Sequence, residues 1–75
     1  MASLPVLSGR EVAQTFSKDG WRMARQKGSH MVLIKDGSSA TLSVPDPKEI
    51  AKGTLRSLIR ASGMTVEQFI SLGRR

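Results

Sequence analysis

The sequence predicts an α+β fold: one helix, a three-stranded antiparallel sheet, then two more helices, with the helices packed on one face of the sheet. Three observations predict it. Two capping boxes, Ser8 with Glu11 and Thr65 with Gln68, mark helix starts near both ends of the chain. Between them lies alternating and apolar sequence cut by Lys27-Gly28-Ser29 and Asp36-Gly37, the punctuation of short antiparallel turns. Apolar residues recur at helical spacing on either side, as Val12, Ala13 and Phe16 and again as Leu55, Leu58 and Ile59.

A leader, Met1–Leu7, precedes a helix expected over Gly9–Lys18. Ser8 caps it, and Leu7 and Val12 are placed to form a hydrophobic staple. Asp19-Gly20 stops it. Trp21–Arg25 alternates large apolar and basic residues and predicts a first strand. His30–Lys35, the most apolar segment, predicts the central one. His30, Val32 and Ile34 share one of its faces, Met31 and Leu33 the other. Both faces are apolar, so alternation alone does not orient His30; its place beside a glycine turn favours solvent access. Asp36-Gly37 leads into a third strand, Ala40–Val44, ended by Pro45 and Pro47, which cannot donate to a ladder. Lys48–Lys52 reads as a connector or a short turn. Leu55–Ala61 predicts the second helix, ended by Ser62-Gly63. The last helix follows Thr65, with a Met64–Phe69 staple and Val66, Phe69, Ile70 and Leu72 on its apolar side. Gly73-Arg74-Arg75 reads as a basic tail. The order α-β-β-β-α with a short extra C-terminal helix matches that of the double-stranded-RNA-binding fold.

At 75 residues the chain reads as a single domain, 1–75. It has no cysteine, so disulfides and thiolate-bound zinc or iron–sulfur centres are excluded. One histidine is too few for the usual multi-imidazole metal sites, and neither metal nor cofactor is expected. Twelve Lys and Arg against six Asp and Glu give a net charge of +6, which points to a phosphate-rich or acidic partner. The positive excess lies in residues 1–31 and 50–75; in 32–49 three acidic residues outnumber two basic ones. The longest apolar run, Met31–Ile34, is far short of a membrane span, and Met1–Leu7 lacks the features of a signal peptide. With the absence of cysteine, this favours a cytoplasmic protein with no membrane partner.

Arg22, Arg25, Lys27, Gly28, Ser29 and His30 fall within nine residues. The cations can neutralise phosphate, Gly28 permits close backbone approach to an anion, and Ser29 can donate a hydroxyl hydrogen bond. His30 carries the one side chain type that titrates near neutrality when unperturbed. RNA brings its own nucleophile, the 2′-hydroxyl. Cutting it needs one group to take that proton and others to stabilise the charge on phosphorus. Arg56 and Arg60 lie four apart on one helix face, an arrangement that suits phosphates or a plain solvated surface. The P-loop pattern is absent. No carboxylate pair is placed for glycosidase work, and Asp46 with Glu49 makes no convincing two-metal site. The residues themselves leave two readings open: a metal-independent ribonuclease and a non-catalytic RNA-binding module.

The chain also resembles the HicA family of small mRNA-interferase toxins from HicAB toxin–antitoxin systems, from Leu7 to about Leu72. The likeness rests on Leu7-Ser8-Gly9-Arg10-Glu11-Val12, on Gly20-Trp21, and above all on Arg25-Gln26-Lys27-Gly28-Ser29-His30. It continues through Val44-Pro45, Lys48-Glu49-Ile50, the run from Gly53 to Thr65, and Glu67-Gln68-Phe69. The resemblance implies a double-stranded-RNA-binding-like fold, metal-independent mRNA cleavage, and His30 as the catalytic residue. It makes Gly28 a position where a side chain would crowd the substrate. It implies a HicB-like antitoxin that blocks the site and, through that antitoxin, an indirect association with operator DNA. Many members carry a second histidine after the proline that follows the third strand. Here Asp46 holds that place, as a candidate second-site residue that either orients His30 or faces solvent. The substrate-binding residues expected on this reading are Arg22, Arg25, Lys27, Gly28 and Ser29, joined by Lys52 and Arg56.

Overall fold

The computed structural model describes residues 4–46 and 49–74. Helix α1 (Gly9–Ser17) is followed by strands β1 (Trp21–Lys27), β2 (His30–Lys35) and β3 (Leu42–Pro45), then by helices α2 (Lys52–Ser62) and α3 (Val66–Gly73). The strands form one antiparallel sheet in the order β1-β2-β3, with β2 central. This is the predicted α-β-β-β-α-α order.

Both capping boxes form. The Ser8 Oγ accepts from the Glu11 N–H at 3.2 Å, and the Ser8 N–H donates to Glu11 Oε1 at 3.0 Å. Thr65 and Gln68 repeat the exchange at 3.1 and 2.9 Å. Each satisfies two backbone donors that a helix start leaves without a partner.

Helices and sheet meet over one apolar core. Met31 and Leu33 of β2, with Leu42 and Val44 of β3, point into it; Val12 and Phe16 of α1, Leu55 and Ile59 of α2, and Phe69 of α3 close over them. Phe16 sits between two rings, 6.4 Å from Trp21 edge-on and 5.1 Å from Phe69. The Lys35 ammonium lies 6.0 Å from the Trp21 ring and bonds Asp19 at 3.1 Å, closing the end of the sheet under α1.

Several boundaries differ from expectation. The first turn is shorter, because Gln26 and Lys27 stay in β1 and only Gly28-Ser29 turn the chain. β3 is shifted along the chain: it starts at Leu42 rather than Ala40, so the connection from β2 runs over residues 36–41, and it ends one residue later, taking in Pro45. It is an edge strand, so a missing N–H there breaks no ladder. α2 starts at Lys52 rather than Leu55, so Lys52 is a first-turn residue and not part of a connector. Gly53 is the second residue of α2, outside the helix interior where the entropic penalty of glycine applies in full. The end of the leader belongs to the fold: Leu4 is only 3% exposed, and the Ile50 N–H donates to the Leu7 carbonyl at 2.9 Å. Gly73 ends α3 and Arg74 caps it, so the expected tail is partly helical. Met1–Ser3, Pro47, Lys48 and Arg75, and what was expected of them, lie outside the described residues.

Candidate functional site

The register of the β1–β2 hairpin decides which side chains share a surface. Lys27 pairs with His30, Arg25 with Val32 and Arg22 with Ile34. Paired residues in an antiparallel ladder point to the same side, with Cβ atoms about 5 Å apart. The side in question is the one turned away from the core, since the alternate residues Met31 and Leu33 are buried. His30 therefore stands on the open face, with Lys27 beside it on one flank and Pro45 on the other. Strand periodicity left this orientation undecided; burial of the Met31–Leu33 face decides it.

Arg22 and Arg25 are three apart and would point to opposite faces of a regular strand. A bulge at Ala24 prevents this. The register shifts between Met23 and Arg25, so Ala24 is the extra residue and both arginines reach the His30 face. Nothing in the sequence announces that bulge.

The imidazole of His30 is exposed and, among the described residues, makes no hydrogen bond, so both ring nitrogens are available to a ligand. Arg25 and Lys27 are exposed and, among the described residues, have no carboxylate partner. Arg22 bonds Asp36 at 3.2 Å through side chains that are 65% and 92% exposed. Such a pair is worth under about 1 kcal/mol and opens readily to an anion. Gly28 has φ +60°, the left-handed region, and ideal Cβ geometry there meets no protein atom within 4 Å. Within the protein, the demand for glycine at the hairpin tip is conformational and not steric.

Asp46 takes neither of its expected places. Its side chain is 10% exposed and turned to the opposite side of the sheet, where it lines a groove of about 410 Å³ between α1 and β1 with Arg10, Gln26 and Met31. It makes no bond to His30. Its Oδ1 is buried and, among the described residues, accepts no hydrogen bond, with the Arg10 Nε 3.9 Å away. Its main chain does reach the motif: the Asp46 N–H donates to the Ser29 carbonyl at 2.7 Å.

The structure thus gathers Arg22, Arg25, Lys27, Gly28, Ser29 and His30 on one face and hairpin tip. Lys52 and Arg56 are exposed on α2, in the helical layer that covers the other face. Half-buried Val32 and Ile34, and Ser43 opposite Val32, complete the His30 face. Counting every second residue from His30 finds the first two. Among the described residues no group of three or more His, Asp or Glu side chains is placed to hold a metal ion, and no helix is long and apolar enough to cross a membrane.

No curated protein matches the chain. The family model described as the HicA toxin of bacterial toxin–antitoxin systems matches residues 9–64, from the first residue of α1 to the entry of α3, with the whole hairpin inside it. A match over that share of the chain carries the antitoxin partner that such a system implies, and it places the cationic hairpin in its context: this chain belongs to the HicA family of toxins.

Proposed function

We propose that this toxin is a metal-independent endoribonuclease that cuts mRNA with His30 as its catalytic residue. The observation that carries the reading is the pairing of His30 with Lys27 on an open strand face that also bears Arg25 and Arg22. A titratable group and three cations on one surface supply the two requirements of RNA transphosphorylation: a proton acceptor and charge compensation at phosphorus.

The RNA strand lies across this face with its phosphates on Arg22, Arg25 and Lys27. His30 takes the proton of a 2′-hydroxyl as that oxygen bonds to phosphorus. The bond from phosphorus to the 5′-oxygen breaks, and the departing oxygen takes a proton from Lys27, Ser29 or water. The products are a 2′,3′-cyclic phosphate and a 5′-hydroxyl. Val32 and Ile34 offer apolar surface to bases beside the reacting phosphate. Lys52 and Arg56 serve the part of a longer RNA that passes round to α2. A HicB-like antitoxin neutralises the toxin by covering the same positive face, and brings it to operator DNA only indirectly.

The test is cleavage of a long unstructured RNA in excess EDTA by the unmutated protein and by His30→Ala. Cutting by the first alone, with 5′-hydroxyl ends, is the expected result. Equal cutting by both removes His30 from the chemistry. Salt-sensitive binding with no cutting by either favours the RNA-binding module.

A further inference from the structure

The start of α1 touches the end of β3, at the strand residue paired with His30, through one close packing contact. An ideal Cβ built on Gly9 would overlap the Pro45 carbonyl oxygen, with the Pro45 carbonyl carbon at 3.0 Å and the Asp46 Cα at 3.2 Å. Those neighbours are main chain and cannot swing aside as a side chain tip would. The segment so pressed is the one that holds the motif. Pro45 pairs with His30 in the sheet, and the Asp46 N–H bonds the Ser29 carbonyl at 2.7 Å. The same helix start is fastened on its other side: Ser8 forms an antiparallel bridge with Glu49, and the Leu7 carbonyl accepts from Ile50. Pro45 and Asp46 on one side, and Glu49 and Ile50 on the other, are therefore both held against the α1 entry.

We infer that Gly9 is a positioning residue for His30, acting through Pro45 and the Asp46–Ser29 hydrogen bond. The absence of a side chain at Gly9 sets the depth at which α1 seats on Pro45. That depth sets where the Ser29–His30 main chain sits relative to Arg25 and Lys27. The Asp46 side chain fits this account: it faces Arg10 at 3.9 Å, among the described residues its Oδ1 accepts no hydrogen bond, and the bond that reaches the motif comes from its main chain. The inference rests on the proposal that His30 is catalytic, and its test separates the two.

Gly9→Ala forces Pro45 or α1 to move by on the order of an ångström, and a misplacement of about 1 Å costs about 100-fold in rate. The expected result is a fall in kcat of about 10- to 100-fold, with KM for RNA within about threefold, because the cations of β1 remain in place. Gly53→Ala is the control: it too is a first-turn helix glycine, but its Cβ would meet nothing within 4 Å, so kcat should be unchanged. Amide hydrogen exchange reads the same contact without reference to catalysis. The Asp46 amide should be protected in the unmutated protein and lose protection in Gly9→Ala, while the Leu33 and Phe69 amides keep theirs. Full cleavage by a folded Gly9→Ala protein overturns the inference. So does unprotected exchange at Asp46 in the unmutated protein, a result that stands even if Gly9→Ala fails to fold. If the unmutated protein does not cut RNA but the exchange pattern is as stated, the contact is real and the catalytic reading of His30 is what fails.

Discussion

Replacing Arg25 and Lys27 with glutamine together tests whether the strand face binds RNA phosphates. Both cations are exposed and, among the described residues, neither has a carboxylate partner. Each is therefore free to neutralise one phosphate. On single strands log K falls against log salt with a slope of about 0.7 per phosphate neutralised. The double variant should lower the slope by about 1.4. At 0.1 M salt that is about 25-fold in affinity, and the difference should vanish as salt approaches about 1 M. Arg22→Gln should cost less, because freeing Arg22 first breaks its 3.2 Å pair with Asp36. The assay is fluorescence anisotropy of a labelled unstructured RNA between about 50 and 300 mM salt, in a His30→Ala background so that the probe stays whole. Lys52→Gln with Arg56→Gln is the comparison, since these cations stand on α2. An unchanged slope in the strand variant refutes the reasoning. An equal or larger drop in the α2 variant alone would put the main RNA path on the helical layer.

Three further outcomes follow from packing and backbone geometry. Phe16→Ala empties a fully buried site between Trp21 and Phe69 and should cost about 3–5 kcal/mol. For a chain this short that approaches the whole stability, so urea titration should show little or no folded baseline. Gly28→Ala should destabilise by about 1–2 kcal/mol because of its positive φ, with Gly28→Asn closer to the unmutated protein in the same titration. Thr65→Ala removes the acceptor for the Gln68 N–H and should cost about 1 kcal/mol, read as a lower thermal midpoint.

The fold was legible where local chemistry is strong. Ser8-Glu11 and Thr65-Gln68 fix two helix starts by side chain and main chain bonds made within four residues, so no tertiary information is needed. The sheet order follows from short turns that can only join antiparallel neighbours. What escaped depends on contacts between distant parts. α2 begins at Lys52 without a side chain cap, so no residue pattern marks its start. No local pattern tied the end of the leader to the fold beyond the Leu7 staple, because its hold is the burial of Leu4 and a main chain bond from the Ile50 N–H to the Leu7 carbonyl.

The candidate site divides in the same way. The cluster from Arg22 to His30 is contiguous in sequence, so its members were visible at once. That Arg22 and Arg25 share a face was not, because it depends on one extra residue at Ala24. The place of Asp46 was not legible either. One residue beyond the strand, its side chain goes to the groove under α1 while its N–H goes to Ser29, a split that periodicity does not encode.

The central claim is that His30 takes the proton of the RNA's own 2′-hydroxyl. The most direct measurement gives the unmutated protein two versions of one mapped substrate in excess EDTA, one all-RNA and one with a single 2′-deoxynucleotide on the 5′ side of the cut. The account predicts that the all-RNA strand is cut to a 2′,3′-cyclic phosphate and a 5′-hydroxyl, that the deoxy substitution abolishes the cut at that bond, and that His30→Ala cuts neither. Cleavage at the deoxy position, or 5′-phosphate ends from either strand, would contradict it.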